Sequence, residues 1–273
     1  MMSGVTEVNV ELAVAVVSAV FSLGAGIFSA RANRKAREFE HELERRRKAE
    51  DEVATALRIL RQYRDPLLDA AHTLQSRIYN IVRNSYLNIW LRCGDPEQER
   101  YARDYTVYAL AEYLTWVEIV RRELRFLDVG DEEHNRQLMA LLMQAQLTIQ
   151  DSTWLTGPFR VFRGHQRAIA EVMMVPTGAP DGPRRECMGY AAFCDRLDED
   201  EDFRAWFDRL RREVDELVER DRDDRLVRLQ NDLIDLIDHL DPKALRIPAQ
   251  FRHRLPQPPS VSPGVPTQAT PRA

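Results

Sequence analysis

The stretch YTVYALAEYLTWVEIVRRELRFLD (105–128) decides the fold of this chain. Its apolar side chains are spread over most faces of the helix that it predicts, instead of forming one stripe. A helix of that kind lies buried at the centre of a domain. We therefore expect the rest of the chain to pack around it, and any charged residue buried in it to have an ionic partner.

Turn signals divide the chain on both sides of this helix. Asp65-Pro66 and Asp95-Pro96 each place a capping residue before a proline, which is typical of a helix start. No stretch alternates as a strand does, so the predicted fold class is all-α, with six to eight helices in a domain at 63–247. Apolar periodicity predicts helices at 66–91, 97–128, 132–151 and within 187–240. Residues 159–175 are predicted as a helix or as a helix after a turn, and residues 176–183 as a surface loop.

A second decisive stretch is LAVAVVSAVFSLGAGIFSA (12–30), which contains 19 residues without a charge. About 20 apolar residues in a helix span the hydrocarbon core of a bilayer, so this segment predicts a transmembrane helix. The alternatives are a buried helix of a soluble protein and a cleaved signal peptide ending near Ala30-Arg31-Ala32. Residues 1–11 carry no lysine or arginine, and the apolar run exceeds the length of a signal core, which favours the span.

The charges beside this span predict its orientation. Arg31, Arg34, Lys35 and Arg37 follow it directly, and nothing basic precedes it. The positive-inside rule then places residues 1–11 outside the cell and the long C-terminal part in the cytoplasm. We therefore expect a single-pass protein of the cell membrane, with the lipid bilayer as its first partner.

Small residues recur along one face of the span, at Ser18, Ser22, Gly26 and Ala30. Small residues four apart let two helix backbones approach closely, so this stripe predicts a homo-oligomer through the membrane helix. The alternative is that such residues are simply common in membrane helices.

The domain is flanked by two segments of biased composition. Residues 31–62 hold no glycine or proline and alternate acidic with basic side chains, which predicts a charged helical stalk. Arg46 and Glu50 interrupt its heptad-like apolar stripe, so a coiled coil has only weak support. Residues 248–273 include seven prolines among 26 residues and are predicted as a disordered tail.

Composition and motifs exclude several classes of function. The net charge of −5 and a pI of about 5.8 argue against a nucleic-acid-binding protein. The three cysteines fit neither a disulfide scaffold nor a zinc site. No phosphate-binding loop, nucleophile elbow or HExxH motif occurs, and the six histidines are isolated from one another. We therefore predict no catalytic residue, no metal and no cofactor.

One polar cluster stands out, formed by Arg160, Arg163, His165 and Arg167 around Gly164. Several guanidinium groups beside a glycine could bind a phosphate or a carboxylate. They could equally pair with the acidic region 195–224, or with glutamates of the central helix, and we prefer this second interpretation. The same two alternatives apply to three polar residues of the first predicted helix, Arg77, Tyr79 and Asn80.

Four phrases of the chain carry a resemblance, YRDPLLDAAHTLQSRIYN (63–80), YTVYALAEYLTWVEIVRRELRFLD (105–128), FRVFRGHQRAI (159–169) and LIDLIDHLDP (233–242). Through them the chain resembles a set of bacterial proteins of no known function, which have an N-terminal anchor and a helical cytoplasmic region. The resemblance implies an anchored helical architecture and brings no activity, cofactor or catalytic residue with it.

The function expected from these features is that of a membrane-tethered scaffold. It has no catalysis of its own, associates with itself through the span and presents its domain to an unknown cytoplasmic protein partner. The alternative is an enzyme or sensor that binds an anionic ligand near Arg160–Arg167.

Gly26→Ile places a bulky branched side chain on the small-residue face, so we expect it to weaken self-association in a membrane two-hybrid assay. Gly24→Ile is the matched control, because position 24 lies on the opposite side of a helix with 3.6 residues per turn. Equal signals from the Gly26→Ile variant and the unaltered chain would remove this stripe as the contact.

Overall fold

The protein is described from a computed structural model, which covers residues 40–48, 50–51, 54, 62–124, 132–152, 158–177, 184–218 and 223–256. They fall in two units, Met1–Thr55 and Ala56–Ala273. In the first unit, residues 40–48 are helical and every one of them is exposed. Arg46 pairs with Glu42 at 3.2 Å there, as expected for a solvated charged helix.

The second unit is a helical domain, so the all-α prediction is confirmed at the level of fold class. Its first helix, α1, covers residues 62–84. The following elements are α2 (Tyr86–Trp90), α3 (Pro96–Leu124), α4 (Glu132–Gln150), α5 (Arg163–Met173), β1 (Met174–Thr177), β2 (Arg184–Cys187), α6 (Tyr190–Glu199), α7 (Glu201–Ala205), α8 (Asp208–Leu217), α9 (Asp224–Leu240) and a 3-10 turn at Ala249–Phe251.

Helix α3 lies at the centre of the domain, as its sequence predicts. It packs against α2, α5, α6, α8 and β2. The expected partners of its buried charges are present, because Glu118 accepts hydrogen bonds from Arg121 at 2.6 Å and from Arg122 at 2.8 Å. The fully buried Asp104 pairs with Arg211 of α8 at 2.8 Å. These ion pairs allow charged residues to lie in an otherwise apolar core.

A two-stranded hairpin interrupts the helices, and the sequence did not reveal it. Strand β1 pairs antiparallel with β2, with Met174 opposite Cys187 and Thr177 opposite Arg184. After β2 the chain returns to the end of α5, where the Met188 N–H donates to the Met173 carbonyl at 2.8 Å. Strands of four residues are too short to show alternation, so the sequence wrongly assigned 174–175 to a helix and 176–177 to a loop. Residues 178–183 of that predicted loop lie outside the described residues.

The described residues of the region 187–240, which are 187–218 and 223–240, form four helices. Asp200 ends α6 and caps α7, because its side chain accepts from the Phe203 N–H at 2.9 Å. The rings of Phe193, Phe203 and Phe207 meet at centroid distances of 4.9 to 5.8 Å and join α6 to α7 and α8. Aromatic packing of this kind stabilises short helices that would not persist alone.

The domain continues beyond the predicted boundary at 247. Gln230 of α9 donates to the His253 carbonyl at 2.7 Å, and Asn231 donates to the Leu255 carbonyl at 3.0 Å. Leu255 is buried. The prediction that the tail begins at 248 is therefore placed too early. Its proline content gave no sign of these contacts, and residues 257–273 lie outside the described residues.

Asp241, at the end of α9, holds this C-terminal segment in place. Its carboxylate accepts from the N–H groups of Leu245, Arg246 and Ile247, each at 3.0 Å, and from Arg252 at 2.7 Å. Burial raises the pKa of Asp241, but the three backbone donors and Arg252 outweigh it and hold the pKa below its ordinary value.

Within the described ranges, no helix has both the length and the apolar character required to cross a bilayer. The predicted span at 12–30, with Ser18, Ser22, Gly26 and Ala30, lies outside those ranges, as does most of the predicted stalk at 31–62.

Asp241→Ala leaves three N–H groups without their acceptor and removes one of the two carboxylates paired with Arg252, so we expect it to lower the free energy of unfolding by about 3 kcal/mol. Asp238→Ala is the matched control. Its carboxylate is half exposed and pairs with Arg252 and Arg254, so the loss should be below about 1 kcal/mol. Urea unfolding measures the free energy of unfolding of both variants, and equal losses would contradict the stabilising role of Asp241.

The same residue predicts a pH dependence. Because its pKa is lower in the folded than in the unfolded state, Asp241 stabilises the fold fully above the unfolded-state pKa of about 3.9. That contribution declines as the pH falls through the folded-state pKa, and the Asp241→Ala variant should lack this part of the acid dependence.

Candidate functional site

A cleft of about 860 Å³ opens between the second half of α1, α2 and the first half of α3. On α1, Thr73, Ser76, Arg77 and Asn80 share one helical face because they are three or four residues apart. The other lining residues are His72, Tyr86, Trp90, Asp95, Glu97, Gln98, Tyr101 and Tyr105. We call this site the aromatic cleft.

Two interruptions between helices shape the aromatic cleft. Ser85 adopts a left-handed backbone conformation with φ of 52°, which separates α1 from α2. Asp95 then starts α3, since its side chain accepts from the Glu97 N–H at 3.0 Å. Tyr86 and Trp90, one turn apart on α2, thereby come to face Tyr101 and Tyr105, one turn apart on α3.

Arg77 lies among these rings and is 9% exposed. The central carbon of its guanidinium is 4.4 Å from the ring centre of Tyr86, 4.7 Å from that of Tyr105 and 5.7 Å from that of Tyr101. Cation–π attraction of this kind is worth about 0.5–2 kcal/mol. Among the described residues, no hydrogen bond or ion pair joins the Arg77 guanidinium to a protein group.

Other buried arginines of the domain have polar partners. Arg252 pairs with Asp241 at 2.7 Å and with Asp238 at 2.9 Å. Arg225 is fully buried and donates to the carbonyls of Thr148 and Asp151 at 2.8 and 2.7 Å, at the C-terminal end of α4. Among the described residues, the Arg77 guanidinium therefore contacts only aromatic faces, and its N–H groups are available to a ligand in the cleft.

The charges around Arg77 are unevenly placed. Burial lowers the pKa of His72 below its ordinary value, the Asp69 charge opposes this shift and the Arg252 charge adds to it, which favours the uncharged imidazole. Burial raises the pKa of Tyr105, helped by Tyr101 and Glu112 and opposed by Arg77, so its hydroxyl remains a donor. Arg77 is thus the cation of the lining, while Asp95 and Glu97 are its anions.

The rim of the cleft exposes large apolar surface. Tyr101 is 45% exposed and Trp90 is 38% exposed, while Ile89 beside Trp90 is 55% exposed. Exposed aromatic side chains around a concave polar centre are typical of binding sites. The arrangement can bind and orient a molecule, and the described lining contains no nucleophile paired with a base.

The structure brings together half of the arginine cluster proposed from the sequence. Arg160 and His165 line a pocket of about 230 Å³ with Trp206 and Arg209, and the His165 and Trp206 ring centres are 6.4 Å apart. Arg163, at the first position of α5, and Arg167, one turn later, are not in its lining.

The preferred ion pairs of that cluster do not form among the described residues. No acidic side chain there lies within 4.0 Å of Arg160, Arg163 or Arg167. The acidic region 195–224 instead pairs with other helices, and Glu118 is satisfied by arginines of its own helix. Asp198 pairs with Arg100 and Asp215 pairs with Arg103 of α3, whereas Glu213 pairs with Arg209 of its own helix, each at 2.8 Å.

Of the three α1 residues singled out from the sequence, Arg77 and Asn80 lie in the aromatic cleft and Tyr79 does not. The Tyr79 ring packs near His253, with ring centres 6.4 Å apart. The four aromatic residues of the cleft were missed, although Tyr101 and Tyr105 are four apart and so predict a shared helical face.

Within the described part of the chain, no group of three metal-binding side chains occurs. Comparison of the chain with protein families, with curated proteins and with solved structures finds no match. Function is therefore inferred from the chemistry of the site itself.

Arg77→Met removes a guanidinium that has no polar partner in the described part of the chain, and methionine can still fill the space between the rings. We expect the free energy of unfolding to change by less than about 1 kcal/mol. Arg252→Met, which leaves the buried Asp241 without its cation, should lower it by about 3 kcal/mol. Urea unfolding of both variants checks this contrast, and a comparable loss in both would mean that Arg77 is a structural residue.

Proposed function

We propose that this protein is a membrane-tethered binding protein, which holds its helical domain at the cytoplasmic face and binds a partner through the aromatic cleft. The observation that carries the proposal is Arg77, a buried guanidinium placed against three tyrosine rings with no polar partner among the described residues.

The energetics of Arg77 favour a binding role over a structural one. Arg77 is 9% exposed, and among the described residues only cation–π contacts compensate its charge, which they do in part. Such a departure from optimal packing is expected at functional sites, where a ligand supplies the missing partner.

The proposal of a membrane tether is supported by the sequence at 12–30. Its uncharged length, followed by Arg31, Arg34, Lys35 and Arg37, supports a single span with residues 1–11 outside the cell. The small-residue stripe at Ser18, Ser22, Gly26 and Ala30 supports self-association, which would place several aromatic clefts side by side. Multiple linked clefts would strengthen binding to a repeated or clustered partner.

A second candidate is an anion sensor that uses the small pocket at Arg160, His165 and Arg209. The observation in its favour is that the Arg160 Nε is buried and has no hydrogen-bond partner among the residues that the structure describes. The small volume and the existing pairing of Arg209 with Glu213 make this pocket a weaker site than the aromatic cleft.

One experiment in cells tests tether and cleft together. A photo-crosslinking residue replaces Gln98 of the cleft, and the chain carries a C-terminal tag. We expect the tagged protein to stay in membranes after alkaline carbonate washing, and the tag to resist external protease until the cells are permeabilised. Illumination should give a covalent adduct, because the partner lies against the crosslinker.

Two controls make the result specific. The same crosslinking residue at Gln144, an exposed position of α4 outside the aromatic cleft, should give no such adduct. Adding Arg77→Met to the Gln98 variant should abolish the adduct while protein levels stay unchanged. A soluble protein or an externally exposed tag refutes the tether, and an adduct that persists with Arg77→Met refutes the cleft.

A further inference from the structure

The Arg77 end of the aromatic cleft has the chemistry of a carboxylate site. A guanidinium presents N–H groups in a planar fork that matches the two oxygens of a carboxylate. Arg77 makes no competing ion pair among the described residues, and it is already fixed by the rings of Tyr86 and Tyr105. A ligand carboxylate would therefore complete a preorganised site, without first displacing a protein partner.

The N-terminal end of α3 carries the opposite charge. Asp95 is engaged by the helix it caps, since it accepts from the backbone N–H groups of Glu97 and Gln98. Glu97 is exposed and lines the aromatic cleft. It can accept from a ligand ammonium or N–H group. An inorganic dianion would meet repulsion from this end, so the ligand needs a single negative charge at Arg77 and a donor near Glu97.

Helix geometry gives the spacing of these two features. Arg77 lies level with Tyr101 and Tyr105, which follow Glu97 by four and eight residues along α3. At a rise of 1.5 Å per residue, this separation is about 6–12 Å. The carboxylate and amine of one amino acid are closer than that, whereas an extended peptide of two or three residues, at about 3.3–3.6 Å each, spans it.

The walls of the cleft favour an aromatic side chain on this peptide. Trp90 and Tyr101 each keep a large exposed area at the rim and offer ring faces for stacking. A volume of about 860 Å³ accommodates a peptide end of this length together with a ring.

We infer that the aromatic cleft binds the carboxylate end of a peptide, with the terminal carboxylate at Arg77, an aromatic side chain against Trp90 and Tyr101, and a donor two or three residues upstream at Glu97. This inference rests on the proposed function and names the chemistry of its partner. The peptide is either a free short peptide or the C-terminal end of another protein, and these two sources share the same recognition.

The test is calorimetric titration of the full chain, purified in detergent, with three probes. They are the tripeptide Ala-Ala-Phe, its C-terminal amide and its N-acetyl form. The amide lacks the carboxylate and should bind roughly tenfold more weakly or worse, as expected for the loss of a charge-assisted pair. Arg77→Met should reduce binding of the acid to the level of the amide, and Arg77→Lys, which keeps the charge but not the fork, should bind with intermediate affinity.

The N-acetyl probe distinguishes the two sources of the ligand. If it binds as tightly as the free tripeptide, the partner is the end of a protein chain. If it binds severalfold more weakly and Glu97→Gln removes that difference, the partner is a free short peptide. Both results support the carboxylate site.

Arg83→Met is the matched control, because Arg83 is an exposed residue of the same helix outside the cleft lining. Its binding should equal that of the unaltered chain. Equal affinity for the acid and the amide, unchanged binding by a folded Arg77→Met variant, or no binding of any probe at millimolar concentration would each overturn the inference. An Arg77-dependent crosslink in cells would then still support the cleft as a binding surface, so the two proposals fail separately.

Discussion

The burial of α3 on most of its faces is the constraint on which the rest of the domain depends. A helix without a solvent-facing stripe needs neighbours on several sides, and α2, α5, α6, α8 and β2 supply them. The charges that α3 carries into the interior are tolerated because each has a positioned partner, as Asp104 has in Arg211 and Glu118 in Arg121 and Arg122. Packing and ion pairing thus act together to fix the position of this helix.

The position of α3 also creates the aromatic cleft. Its first three turns contain Tyr101 and Tyr105, whose rings lie beside the Arg77 guanidinium. The same helix that organises the core therefore supplies one wall of the binding site. A site built on rigid helices is preorganised, which reduces the entropy lost when a partner binds.

Arg77 and Arg252 illustrate two uses of a buried guanidinium. Arg252 joins Asp238, Asp241 and the Ile247 carbonyl, and its removal leaves a buried carboxylate unpaired. Arg77 touches rings alone among the described residues, and its removal leaves nothing unsatisfied. The first arrangement stabilises the fold, whereas the second keeps hydrogen-bonding capacity available to a ligand.

Much of the helical architecture could be predicted from the sequence. Capping residues before prolines and apolar residues three or four apart depend on local geometry, so they located the start of α3 and its central position. The start predicted at Asp65-Pro66 is wrong, because α1 is already helical at residue 62. The breaks within 187–240, the hairpin β1–β2 and the docking of residues 248–256 could not be predicted. They depend on long-range contacts, such as those of Gln230 and Asn231 with the C-terminal segment, which leave no periodic pattern.

The candidate site likewise depends partly on local sequence and partly on long-range contacts. The sequence by itself determined an uncharged stretch at 12–30, a central helix, and the presence of unusual arginines on α1 and beside Gly164. Only the tertiary structure decided which buried arginine makes no hydrogen bond or ion pair among the described residues. Pairing depends on the distance between side chains far apart in the chain, which brought Arg211 to Asp104 but surrounded Arg77 with tyrosine rings from two other helices.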